Sequence, residues 1–177
     1  MGLFRLLARV TIGLLFVGHG TQKVFGWFGG GGLEATGDGF ESMGMRPGKR
    51  NALAAGTAEA GGGLLFAFGA ATPLAAAALT SVMITAIKTV HWEKGVWASS
   101  GGYEYNLVLL LAAFGITENG PGKWSVDGVL GKPRWGTGWA LAALAAGATG
   151  SAAALGAAAA EKPEAQPAPA EPVPATA

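Results

Sequence analysis

Apolar residues run along this chain in long unbroken blocks, and polar residues collect at the ends of those blocks. The first block, about residues 3–25, has VTIGLLFVG at its centre. Arg5 and Arg9 stand at its start, and His19, Gln22 and Lys23 at its end. Two further blocks, about 51–68 and 73–92, are joined by a tight turn at Gly69–Pro73. Thr72 there is an expected N-cap, and Pro73 suits the first helical position, where its missing N–H costs nothing. A fourth block covers about 103–117, and an alanine-rich fifth covers 135–160. About 20 apolar residues span a bilayer as a helix. The runs are continuous rather than alternating, so helices and not a barrel are expected. The pattern predicts an all-α integral membrane protein. A four-helix transmembrane bundle fills residues 1–131, a fifth transmembrane helix fills 135–160, and a disordered Pro/Ala-rich tail fills 161–177.

The connections are polar or glycine-rich. Residues 26–49 carry GWFGGGGLEATGDG, in which Leu33, Thr36, Phe40 and Met43 or Met45 share a loose apolar face. A short helix lying in the membrane interface is expected there. The glycines are either a flexible connector or a backbone nest for an anion. Arg5 and Arg9 are expected to snorkel outward. No small-residue cleavage site follows VTIGLLFVG, so this block reads as a retained first helix rather than a signal peptide.

Composition agrees with a membrane protein. The chain is 50% hydrophobic and 13% charged, against about 25% charged in soluble domains. A net charge of +1 without a basic, aromatic-interleaved patch argues against nucleic acid. The absence of cysteine removes thiolate metal sites, covalent haem attachment and thiol redox chemistry from this chain. No metal is predicted, and no nucleotide-binding glycine motif is present.

The candidate chemistry gathers when the helices are folded up and down. One side of the membrane then receives His19, Gln22 and Lys23, the start of the second helix with Glu59, and Thr85, Lys88 and His91 from the third. Tyr103, Glu104, Tyr105 and Asn106 arrive from the fourth. The opposite side offers only Arg5 and Arg9. His19, Gln22 and Lys23 share one helix face. Glu59 lies about 13 Å along its helix from Arg50. A carboxylate at that depth takes up a proton or finds a cation. Lys23, Lys88 and the histidines are candidate partners, and a purely structural ion pair is the alternative.

Arg9, Gly13, Phe16, His19, Gly20, Gln22, Lys23, Gly26, Phe28, Gly29, Gly30 and Gly32 together resemble the opening of DoxX-family membrane proteins. AEAGGGLLFAFGAATPLAA around Glu59, GGYEYNL at 101–107 and GPGKWSVDGVLG at 120–131 extend the resemblance over residues 5–131. It implies a four-helix membrane bundle. Some relatives are subunits of a thiosulfate:quinone oxidoreductase, and others belong to membrane oxidoreductase complexes of thiol and oxidative-stress balance. On that basis a quinone is the expected cofactor, with Glu59 and His91 as catalytic residues and Glu59 handling the quinol proton. His19, Gln22, Lys23, Lys88, Tyr103 and Glu104 are expected to bind quinone or a sulfur anion. The expected partners are the lipid bilayer and other subunits of a redox complex. The alternatives are a non-catalytic anchor and a small proton-coupled transporter. The expected location is the plasma membrane, with a cytoplasmic N-terminus because Arg5 and Arg9 flank the first helix.

Overall fold

The computed structural model describes residues 2–161, and those residues are helical without a strand. Five long helices carry the fold: α1 (Gly2–Phe25), α3 (Gly48–Phe68), α4 (Thr72–Ala86), α5 (Glu104–Asn119) and α7 (Thr137–Ala160). Two short ones, α2 (Gly32–Ser42) and α6 (Val126–Val129), sit at opposite ends. α4 continues through a π-helical turn at Ile87–His91 and a 3₁₀ turn at Trp92–Lys94. The tail expected at 161–177 lies, from residue 162 on, outside the described residues.

α1 and α3 run antiparallel along a glycine seam. A Cβ at Gly13 would stand 2.5 Å from the Gly63 carbonyl oxygen, and one at Gly20 the same distance from that of Gly56. Both pairs are seven residues apart in their helices, two turns along one face. Without side chains the backbones touch, which is how helices associate where lipid offers no hydrophobic drive. The neighbouring Gly61 takes no part, because a Cβ there would meet open space.

The turn from α3 to α4 ends α3 with Gly69 in the left-handed region at φ 61°. The Ala70 N–H reaches back to the Leu65 carbonyl and the Gly69 N–H to that of Phe66. Thr72 does not cap α4 as its sequence suggests. Ala71 occupies the cap position with φ 44°, and the cap comes from Asp127, 55 residues beyond Thr72. The Asp127 carboxylate accepts the Ala71 N–H at 2.8 Å, the Thr72 N–H at 2.9 Å, the Thr72 hydroxyl at 2.7 Å and the Trp135 indole N–H at 2.9 Å.

Arg9 belongs to the same end of the bundle and does not snorkel. It is 1% exposed and donates to the carbonyls of Ala67 at 2.5 Å and Trp124 at 2.7 Å. The loop before α6 folds over it, so carbonyls take the place of water at its two terminal nitrogens, while Nε is buried without a hydrogen-bond partner among the described residues. The side of the bundle expected to offer only Arg5 and Arg9 therefore also holds the buried Asp127 that caps α4.

α7 is an integral part of the bundle. It lies parallel to α4, with Gly147 against Thr80, Gly150 against Ser81, and the Ser151 and Thr85 hydroxyls 2.8 Å apart. The core between the helices contains Phe16, Phe66, Leu79, Met83, Leu109 and Ile116. Large apolar side chains also cover the outside, among them Leu3, Phe4, Leu7, Leu14 and Leu15 on α1. Three stretches are long and apolar enough to cross a membrane: Gly2–Phe25, Thr72–Lys94 and Thr137–Ala160. At about 1.5 Å per residue, each exceeds the roughly 30 Å hydrocarbon core.

Candidate functional site

At the end of the bundle away from Arg9, a cavity of about 400 Å³ opens between α3, α4 and the α2 segment. Its α3 wall is Asn51, Ala54, Ala55, Ala58 and Glu59, one stripe at helical spacing. The three alanines leave the space that larger residues would fill. α4 presents Ser81, Val82, Thr85 and Thr89. Phe40, Met43 and Met45 cover the cavity from α2 and the turn after it, and Ala154 of α7 closes the back. α2 is held down by ion pairs of Glu34 with Lys49 and of Glu41 with Arg46, and by the Gly48 N–H on Glu41.

Lys23 and Glu59 meet at the cavity wall, Nζ to Oε2, at 2.5 Å. The Glu59 side chain is almost wholly buried and that of Lys23 about a quarter exposed. The pair joins α1 to α3 beside the Gly20–Gly56 contact of the glycine seam. A buried charge needs such a partner, and the uncovered edge of the ammonium leaves a route for a ligand or a proton.

His91 lines the same cavity. The π turn explains how it gets there. Its wider winding brings residue 91 back onto the Ala86 face, whereas Lys88 is exposed and outside the cavity. The Nδ1 of His91 lies 2.7 Å from the Gly101 carbonyl oxygen. A carbonyl can only accept, so Nδ1 carries the hydrogen and Nε2 of the neutral ring is the acceptor. The Thr85 and Thr89 hydroxyls donate back to the carbonyls of Ser81 and Thr85 in their own helix, at 2.8 and 2.9 Å.

Of the residues expected from sequence, the cavity thus gathers Lys23, Glu59, Thr85 and His91. His19 is exposed, 3.2 Å from the Gln22 amide oxygen, and within electrostatic range of Glu59. Gln22 in turn donates to the Phe28 carbonyl at 3.3 Å, holding the turn after α1. Tyr103 stacks on Trp92 with ring centroids 5.7 Å apart, and Glu104 accepts the Ala98 N–H at 3.0 Å. Both order the loop between α4 and α5 that carries Gly101. Asn51, Ser81 and Thr89 were not expected in the site. Their signal is the spacing 51, 54, 55, 58, 59 facing 81, 82, 85, 89, which reads as a shared face only once the two helices are known to be paired. Among the described residues no group of three or more His, Asp or Glu could hold a metal.

The described residues therefore form an all-helical, multi-pass membrane protein with Lys23, Glu59 and His91 brought to one cavity. A family model described as DoxX matches residues 4–92, just over half of the chain, and the chain belongs to the DoxX family. The match contains Lys23, Glu59 and His91 and ends before α5. No curated protein and no solved structure matches the chain.

Proposed function

We propose that the chain is a quinone-binding subunit of a membrane oxidoreductase complex, and that the quinone ring enters the cavity beside Lys23, Glu59 and His91. The carrying observation is the joining of alanine walls to an acid, a cation and an imidazole acceptor in one cavity of about 400 Å³. That combination suits a flat apolar ring with polar edges, and the volume lies in the range of small-molecule sites. When bound, a quinone supplies a two-electron, two-proton couple. Lys23 would donate a hydrogen bond to a ring oxygen at the cavity wall. Glu59 would take up or release a proton as Lys23 turns toward the ligand. His91, with Nδ1 committed to Gly101, would accept a proton or hydrogen bond at Nε2. The electrons, from a thiosulfate or thiol donor, would come through a partner subunit.

In this reading α3 and α5 cross the membrane beside the three longer apolar helices. The protein sits in the plasma membrane with its N-terminus in the cytoplasm, so the cavity faces outward. Labelling of Thr36→Cys and Trp97→Cys from outside intact cells tests that orientation, and labelling only after lysis would reverse it.

A second reading rests on the closeness of the Lys23–Glu59 contact, which suits a lock between α1 and α3 in a non-catalytic anchor. Photolabelling with an azido-quinone separates the two. Cross-links confined to peptides 51–59 and 81–91 support the quinone site. Cross-links spread over the outer faces of the helices leave the pair as a packing device.

A further inference from the structure

We propose that the groove between the start of α1 and the end of α5 binds one anionic phospholipid, with its phosphate at Arg5 and Arg134 and an acyl chain along the helices. This does not rest on the quinone reading, since the groove lies at the opposite end of the bundle from the Glu59 cavity.

The two helices make little contact with each other and leave a groove of about 1020 Å³. Its inner length is apolar. Phe4, Ala8 and Ile12 lie four residues apart on α1, and Ala112 and Ile116 face them from α5. Eight residues of helix make a trough about 12 Å long. Its outer end is polar and lined by Arg5, Glu118, Asn119 and Arg134. A second cavity of about 240 Å³ adjoins it, shares Arg5 as a wall, and adds Lys123. Arg5, Arg134 and Lys123 thus line this rim together with Glu118, whose carboxylate accepts the Thr137 hydroxyl at 2.9 Å. Arg5 is fixed across the rim by donation to the Asn119 carbonyl at 2.7 Å. A site with a cationic rim at the membrane edge and an apolar trough running inward has the polarity profile of a phospholipid. Basic pockets between membrane helices bind anionic headgroups for this reason.

The test is native mass spectrometry of the full chain from mild detergent, titrated with phosphatidylglycerol, phosphatidylcholine or inorganic phosphate. The expected result is a single phosphatidylglycerol adduct preferred over phosphatidylcholine and not displaced by inorganic phosphate. Arg5→Gln and Arg134→Gln should each weaken it about fivefold. Gly115→Leu, where a Cβ meets open space, should fill the trough and abolish the adduct while melting like wild type. Gly61→Leu, equally open but on α3, should bind normally. Equal adducts of the two lipids, displacement by phosphate, or equal loss in Gly61→Leu would overturn the proposal. So would a dimer that Gly115→Leu dissolves, which would make the groove an interface between two copies.

Discussion

Asp127→Ala should be among the most destabilising single changes in the chain, although Asp127 lies in a four-residue helix far from the core. The side chain is 4% exposed and accepts four hydrogen bonds, three of them at the start of α4. Thr72, which supplies two, is completely buried. An orphaned buried donor costs about 1–3 kcal/mol, and loss of a helix cap typically costs about 1 kcal/mol. These losses overlap, so the expected total is about 3–5 kcal/mol. Burial alone would raise the Asp127 carboxyl, but the bonds from Thr72, Trp135 and Ala71 outweigh it and hold the group below the usual carboxylate range. A depressed native value means stability that is fully present above the unfolded pKa of about 3.9 and is lost as pH falls through the native value. Unfolding in mixed detergent, followed by circular dichroism, should show the loss at neutral pH. The gap between wild type and Asp127→Ala should narrow in acid below about pH 4. A neutral-pH difference below about 0.5 kcal/mol, the size of an ordinary surface substitution, would refute the trans cap.

Other perturbations separate the remaining contacts. Gly20→Val drives a side chain into the Gly56 carbonyl, so α1 and α3 must part; a loss of about 2 kcal/mol or more is expected in the same assay, against none for Gly61→Ala. Lys23→Met leaves Glu59 buried without its cation and should cost about 3–5 kcal/mol, whereas Lys23→Met with Glu59→Met should recover most of it, measured as a double-mutant cycle. Thr85→Val removes the hydroxyl facing buried Ser151 and should cost about 1 kcal/mol, read as earlier proteolytic release of α7.

The sequence reveals the membrane helices because a bilayer demands long apolar runs, and such runs survive without tertiary information. It also reveals that Glu59 must take up a proton or find a cation, since the cost of a lone buried charge does not depend on the fold. The choice of Lys23 over Lys88 is another matter. It depends on the α1–α3 seam that brings Lys23 to Glu59, while Lys88 stays exposed and outside the cavity; nor does any residue in IKTVH announce the π turn that carries His91 to the cavity wall. The expected positions 85, 88 and 91 assume a regular helix. Tyr103 and Glu104 have the chemistry of a site but spend it on their own loop. Arg9 looks like a snorkelling flank residue until the loop before α6 covers it. Asp127 and Thr72 are 55 residues apart, and nothing local to either one predicts the cap.

The central claim concerns what occupies the Glu59 cavity. Its most direct measurement is a mass spectrum of the organic-solvent extract from the purified protein, compared with Glu59→Gln and His91→Ala. The account predicts near-stoichiometric quinone in the wild-type extract and its loss in both variants, with helical content unchanged. A wild-type extract containing only lipid, or quinone retained equally by both variants, would contradict it.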